Sequence, residues 1–259
     1  MPRYPVFVVG SPRSGTSALV DVLLAAGYSG FREGMLLSLM HGLDQQVERH
    51  FKVFTQPSDQ VLISRVDKDG FKDRLFRVFR EVAEAHNPAA PWFDKTGNPD
   101  MVLTIPTLRR LWPEAVFVFA RRRGIENVVS RLRKFPGHGF EYHCRDWARN
   151  MWAWRQVRGG LPEDARTEVD QQDMIGRPEA VADRLGALLG LPPERHAALV
   201  RTMRQNRPQQ TEAGSAARRL TLETAGWDAA QVETFRQHCA SEMAAYGYTM
   251  DEGYSAAPA

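Results

Sequence analysis

The chain has 259 residues, 43% of them hydrophobic and 25% charged, with a formal net charge of +3 and a pI near 9.0. These values suit one sizeable soluble enzyme domain, and the mild basic bias suits a small anionic ligand without demanding nucleic acid. Two cysteines, Cys144 and Cys239, exclude a disulfide framework, and no apolar stretch approaches the ~20 residues of a membrane span.

In chain order, strands are predicted at Pro5–Gly10, Gln60–Val66, Pro91–Asp94, Val116–Ala120 and Thr167–Asp170. Helical patterns cover about Gly15–Ala26, Gly34–Val53, Phe71–His86, Met101–Trp112, Ile125–Lys134 and Tyr142–Arg158. After the last strand comes a proline-started helix ending at Gly190-Leu191-Pro192, and a final helix runs from about Ala229 to Tyr246. The alternation predicts an α/β fold of three layers, a central parallel sheet flanked by helices. One domain over residues 1–250 is expected, with GYTMDEGY packed on the sheet and a flexible tail over 251–259.

The chemistry concentrates where strands end. Val6, Phe7, Val8 and Val9 lead into Gly10, the turn Ser11-Pro12-Arg13-Ser14-Gly15, and then Thr16 and Ser17 at the start of an amphipathic run. Unpaired backbone N–H groups at such a helix start suit a phosphate or sulfate. Gly10 to Ser17 has the spacing of a phosphate loop, but Thr16 stands where the lysine should be. Without that point charge the loop reads as an anion cradle rather than an ATP-transfer site, with Arg13 supplying a planar fork.

Pro12 to Ser17, PRSGTS, resembles the phosphosulfate-binding loop of sulfotransferases that use 3′-phosphoadenosine 5′-phosphosulfate (PAPS). The resemblance implies a P-loop-NTPase-like sulfotransferase fold, transfer from PAPS to a hydroxyl, PAP as product, and no metal. It assigns Pro12, Arg13, Ser14, Gly15, Thr16 and Ser17 to the phosphosulfate. The family's second signature, an arginine after a strand and a serine eight residues on, falls on Arg122 and Ser130, which it implies at the 3′-phosphate. Here Arg123 and Gly124 follow in place of the family's Asp-Pro, so Arg121 stands as the alternative ligand. Lys95, in PWFDKTGNPD, matches the family's strand-end lysine near the bridging oxygen, where a compact charge stabilises the leaving phosphate. Only five of the 34 basic residues are lysines.

Gly97 occupies the position of the cytosolic branch's histidine base, which excludes that base here. Glu33, in GYSGFREGM, fits the glutamate placement of other branches and could take the acceptor proton; the alternative is an ion pair near Arg32, with His41 in reserve. The polar stretch Thr202 to Thr221, with Arg204, Arg207, Arg218 and Arg219, reads as a loop closing over the 3′-phosphate, Arg207 among its ligands, or as a solvated linker. Ala18 and Leu19 replace the aromatic that stacks the adenine in the cytosolic branch.

Residues 31–66 and 135–160 are candidates for the acceptor walls, with Phe140, Tyr142, Trp147, Trp152 and Trp154 available there or for the core. The acceptor class is a small molecule, glycan or lipid. The pairs His143-Cys144 and His238-Cys239 are poor chelates, because helix neighbours point about 100° apart. A cytoplasmic, bacterial enzyme is expected. The rival readings are a divergent phosphate-loop kinase using ATP–Mg²⁺ and a non-catalytic nucleotide- or RNA-binding module.

Overall fold

The computed structural model describes residues 2–53, 60–205 and 219–255. Its elements run β1 (Val6–Gly10), α1 (Thr16–Ala25), β2 (Ser29–Phe31), α2 (Leu39–Val53), α3 (Lys68–Ala85), β3 (Trp92–Lys95), α4 (Pro99–Leu103) and α5 (Ile105–Leu111). They continue β4 (Val116–Arg121), α6 (Gly124–Lys134), α7 (Phe140–Val157), β5 (Arg166–Asp170), α8 (Gln171–Gly176), α9 (Pro178–Leu189), α10 (Pro193–Gln205) and α11 (Ala229–Ala245).

The five strands form one parallel sheet in the order β2-β3-β1-β4-β5. β1 and the apolar run of β4 are buried on both faces, which is why they read as continuous apolar stretches rather than alternating ones. Phe7, Val9, Phe117 and Phe119 point into a core with α4, α5, α7 and α11. Val6, Val8, Val116 and Val118 point into a second core with α1, α9 and α10. Chain order reverses at β1, between β3 and β4, and ligands of open α/β sheets bind beyond the strand ends at such a switch. The register sets Gly10 opposite Ala120, Val8 opposite Lys95, and Arg121 opposite Asp170, so the chemically loaded strand ends share one edge.

Several elements differ from expectation. Gln60–Val66 is not a strand: residues 62–65 form a 3₁₀ turn, with Leu62 79% exposed. The remaining strand is instead β2, three residues too short and glycine-centred to carry a periodic signal, held by its pairing to β3. α2 starts at Leu39 rather than Gly34, because residues 34–35 donate their amides to the end of β3. The helix expected over Met101–Trp112 is two helices. Asn98 caps the first, and Pro106, lacking an N–H, enforces the restart after Thr104. α8 and α10 were not foreseen, and α10 takes Thr202–Gln205 out of the expected loop. Arg207 and Arg218 lie outside the described residues, as does the end of the chain after Ser255.

Trp147 and Trp154 are fully buried core residues, not acceptor walls; Trp154 stacks on Phe119 with centroids 4.8 Å apart. Asp251–Ser255, read as the start of the tail, are tied down. The buried Tyr254 donates to Asp170 Oδ1 (2.8 Å), Tyr248 donates to Asp170 Oδ2 (2.5 Å), and Tyr248 bridges Ser255.

Gly10 sits at φ 132° with no room for a side chain: a Cβ there would overlap the Ala120 carbonyl oxygen. Gly10→Ala should destabilise the protein by at least about 2 kcal/mol, read as a lower urea midpoint.

Candidate active site

The turn after β1 closes on itself through the Ser14 amide, which donates to the Ser11 carbonyl (3.2 Å), and leaves the start of α1 uncapped. Arg13 (φ 72°) and Gly15 (φ 91°) are both left-handed, and no side chain caps the N-terminus of α1. Its first amides are therefore free for an anion. α6 braces the turn from behind: Asn127 Nδ2 donates to the Pro12 carbonyl and to Ser14 Oγ, both at 3.0 Å. Arg131 donates to Ser11 Oγ (2.9 Å) and pairs with Asp146 (2.7 Å). Pro12 and Arg13 stay half-exposed and Ser17 exposed, whereas Ser14 and Thr16 are buried. Sequence reading passed over Asn127 and Arg131. Their four-residue spacing on the helix that also carries Ser130 was the available signal.

The three arginines that end β4 divide by their partners. Arg121 lies 3.6 Å from Glu168 and 3.9 Å from Asp170, over the rings of Tyr246 and Tyr248. Arg123 is fully buried, paired with Glu126, and donates to the carbonyls of Leu220, Thr249 and Asp251. Arg122 alone of the three has no carboxylate at ion-pair distance among the described residues. It donates to the Arg13 carbonyl at 3.3 Å, its Nε is buried without a partner, and Trp147 holds its own carbonyl (3.0 Å). Arg13 Nε donates to Ser130 Oγ at 2.9 Å. Arg13, Arg122 and Ser130 thus meet at one place. Burial, and then the neighbouring Arg122 charge, push the Arg13 guanidinium below its ordinary pKa, and burial does the same to Arg122. Two adjacent, partly desolvated cations are a receptor for an anion with more than one charge.

A second cluster forms one strand away. The Lys95 side chain, 6% exposed at the end of β3, is ion-paired with Glu33, whose side chain is 62% exposed. Arg32 pairs instead with Asp21 at 2.7 Å. The Gly34 amide donates to the Lys95 carbonyl (2.9 Å), the Met35 amide to Thr96 Oγ1 (3.0 Å), and Thr96 Oγ1 to the buried Asp94 (2.9 Å). Gly97 packs beside the Gly10 carbonyl and Pro12. Lys95 and Glu33 are therefore together, while the guanidinium of Arg13 is turned toward Ser130. Asp94 and Thr96 were not anticipated; they flank Lys95, but nothing in their spacing marks them.

His41, the reserve candidate, is engaged by Gln45 one helical turn on (3.1 Å). His143 is structural, bonded to Arg131 and to the Phe135 carbonyl, and burial lowers its pKa. Cys239 contacts the Cys144 carbonyl inside the core, and no metal-ligand cluster occurs among the described residues. No helix among them is long and apolar enough to cross a membrane.

The sulfotransferase family model matches residues 5–196. No curated protein matches the chain. Among solved structures, the sulfotransferase domain of the curacin biosynthetic pathway superposes with a TM-score of 0.53 at 18% identity, covering 96% of this chain and 100% of that one. The sulfotransferase domain of the Synechococcus PCC 7002 olefin synthase gives 0.53 at 17% identity, covering 96% of each chain. Mouse sulfotransferase SULT7A1 complexed with PAP gives 0.50 at 13% identity, covering 92% of this chain and 84% of that one. These likenesses show the sulfotransferase fold.

Burial holds the Asp94 carboxyl up at about 6, against an ordinary value of 3.8. Ionising it thus costs the folded state, with the cost absent below pH ~4 and complete above pH ~7. Asp94→Asn should raise the melting temperature at pH 8, by the equivalent of at most about 3 kcal/mol, and give no gain at pH 4. Calorimetry at the two pH values checks this.

Proposed function

The chain belongs to the sulfotransferase family, and we propose that it moves the sulfuryl group of PAPS to a hydroxyl of an acceptor, giving PAP and a sulfate ester. The observation that carries the reading is the pair of anion-suited sites on one sheet edge, which meet at Arg13. One is the turn and free amides at the start of α1; the other is Arg13, Arg122 and Ser130. A donor with a phosphosulfate at one end and a phosphate at the other needs such a pair. The unpartnered, buried Nε of Arg122 fits that need, because a buried donor without an acceptor is costly.

In this reading the Pro12–Ser17 turn would hold the phosphosulfate through the backbone N–H groups of Gly15, Thr16 and Ser17 and the Thr16 and Ser17 hydroxyls. Arg122 and Ser130 hold the 3′-phosphate, and Arg13 joins the two sets. PAPS when bound supplies the sulfuryl group; the rest falls to the chain. Lys95 places a compact charge where the leaving phosphate gains negative charge. Glu33 accepts the acceptor's hydroxyl proton. Their ion pair links the two roles: an anion that draws Lys95 toward it releases Glu33 to act as base. Phe31, Met35, Leu36 and Leu39 are exposed near Glu33, alongside Arg32, which is held by Asp21, so the acceptor reaches the base across a largely apolar surface. Rate comes chiefly from positioning and charge stabilisation.

Arg122→Ala should weaken PAP binding roughly 10–100-fold, the loss of a charge-assisted contact. Glu33→Gln should abolish sulfuryl transfer while PAP affinity stays within about twofold. Titration calorimetry with PAP and mass-spectrometric detection of PAP release from PAPS read the two effects separately. Near-normal turnover of Glu33→Gln would remove Glu33 from the base role. A larger thermal shift with ATP–Mg²⁺ than with PAP would overturn the donor assignment.

A further inference from the structure

Asp94 is a buried carboxylate for which the transfer step has no use. It is 6% exposed, on the penultimate residue of β3, and its register partners are Phe7 on β1 and Phe31 on β2, neither charged. Two charged groups face it, Glu33 from the segment after β2 and Lys95 on its own strand. A carboxylate kept in such surroundings lowers stability unless it organises something.

Its contacts lead to the residues around Glu33. Asp94 Oδ1 accepts the Thr96 hydroxyl proton at 2.9 Å, and Thr96 Oγ1 accepts the Met35 amide at 3.0 Å. A hydroxyl has one proton; committing it to Asp94 leaves its lone pairs for Met35. Gly34 lies so close above Asp94 that a Cβ would overlap the carboxylate, and its amide is held by the Lys95 carbonyl. We propose that Asp94 is a positioning residue for Glu33: through Thr96 and the Met35 amide it holds the Glu33-Gly34-Met35 turn in place against Lys95. This rests on the reading of Glu33 as the base. An ionised Asp94 accepts the charge-assisted bond, whereas a protonated one can itself donate to Thr96 and free the hydroxyl to turn away. The turn should loosen as the pH falls through about 6.

Two measurements test this. The first is PAP release from PAPS with 1-hexanol, or with water where that alcohol is not accepted. Thr96→Val should lose at least tenfold in kcat with KM for PAPS within twofold, and Thr96→Ser, which keeps the hydroxyl, should retain wild-type kcat. Asp94→Asn should show at pH 8 the reduced kcat that the wild type shows at pH 5, without the acid limb near pH 6, while its melting temperature does not fall. The second needs no turnover: hydrogen-exchange protection of the Met35 amide at pH 7 should drop at least tenfold in Thr96→Val and stay at the wild-type level in Thr96→Ser. Unchanged kcat and Met35 protection in Thr96→Val, or an acid limb near pH 6 that persists in Asp94→Asn, overturns the proposal. Parallel loss of kcat, PAP affinity and melting temperature in Thr96→Val also overturns it, since that marks a merely structural role. A wild type that never releases PAP from PAPS defeats the sulfotransferase reading instead, and Met35 protection still decides the role of Asp94. Should Asp94→Asn not fold, the Thr96→Val and Thr96→Ser pair decides alone.

Discussion

The close approach of β1 to β4 at Gly10 is the constraint from which the site follows. Gly10 lies against the Ala120 carbonyl with no space for a side chain, so the turn leaving β1 starts level with the end of β4. That alignment lets Arg122 reach the Arg13 carbonyl and lets Ser130, two turns along α6, meet the Arg13 guanidinium. On the other flank, β3 brings Lys95 to the same edge. A shift of one residue in either pairing would turn these side chains to the opposite face.

Like charges gathered so closely need a division of labour. Arg121 and Arg123 are tied into a buried polar network with Glu126, Glu168, Asp170 and the C-terminal strap, where Tyr248 and Tyr254 both donate to Asp170. The strap over residues 246–255 thereby anchors the flanking arginines and leaves Arg122 to face the site. Three adjacent basic residues in a sequence look equivalent; here one carries the ligand role in our reading and two hold the frame. A similar division separates β3's residues: Lys95 meets Glu33, while Asp94 and Thr96 fix the backbone that Glu33 belongs to.

The chain is legible in its sequence wherever the signal is local. Burial on both faces makes β1 and β4 continuous apolar runs, the PRSGTS turn has its spacing written in consecutive residues, and Gly190 ends α9 in the left-handed conformation its position announces. Arg13 could be nominated from the chemistry of its turn, whereas Arg122, Ser130, Lys95 and Glu33 could be nominated through resemblance to the family's motifs. β2 could not, since a three-residue strand has no period and exists through its pairing to β3. The break at Thr104 was missed because apolar periodicity continues across it while Pro106 interrupts the hydrogen bonding.

By itself, then, the sequence determined the parallel α/β plan, the anion-suited turn and the residue types available for charge stabilisation and proton transfer. Those properties depend on side-chain period and short-range backbone chemistry, which a linear string records. Tertiary structure decided which of three arginines is left without a carboxylate partner, that Trp147 and Trp154 belong to the core, that Glu33 lies on Lys95, and that Asp94 stands beneath the turn that carries Glu33. These depend on which distant partner a charge or ring meets, and strand register rather than sequence proximity sets that meeting.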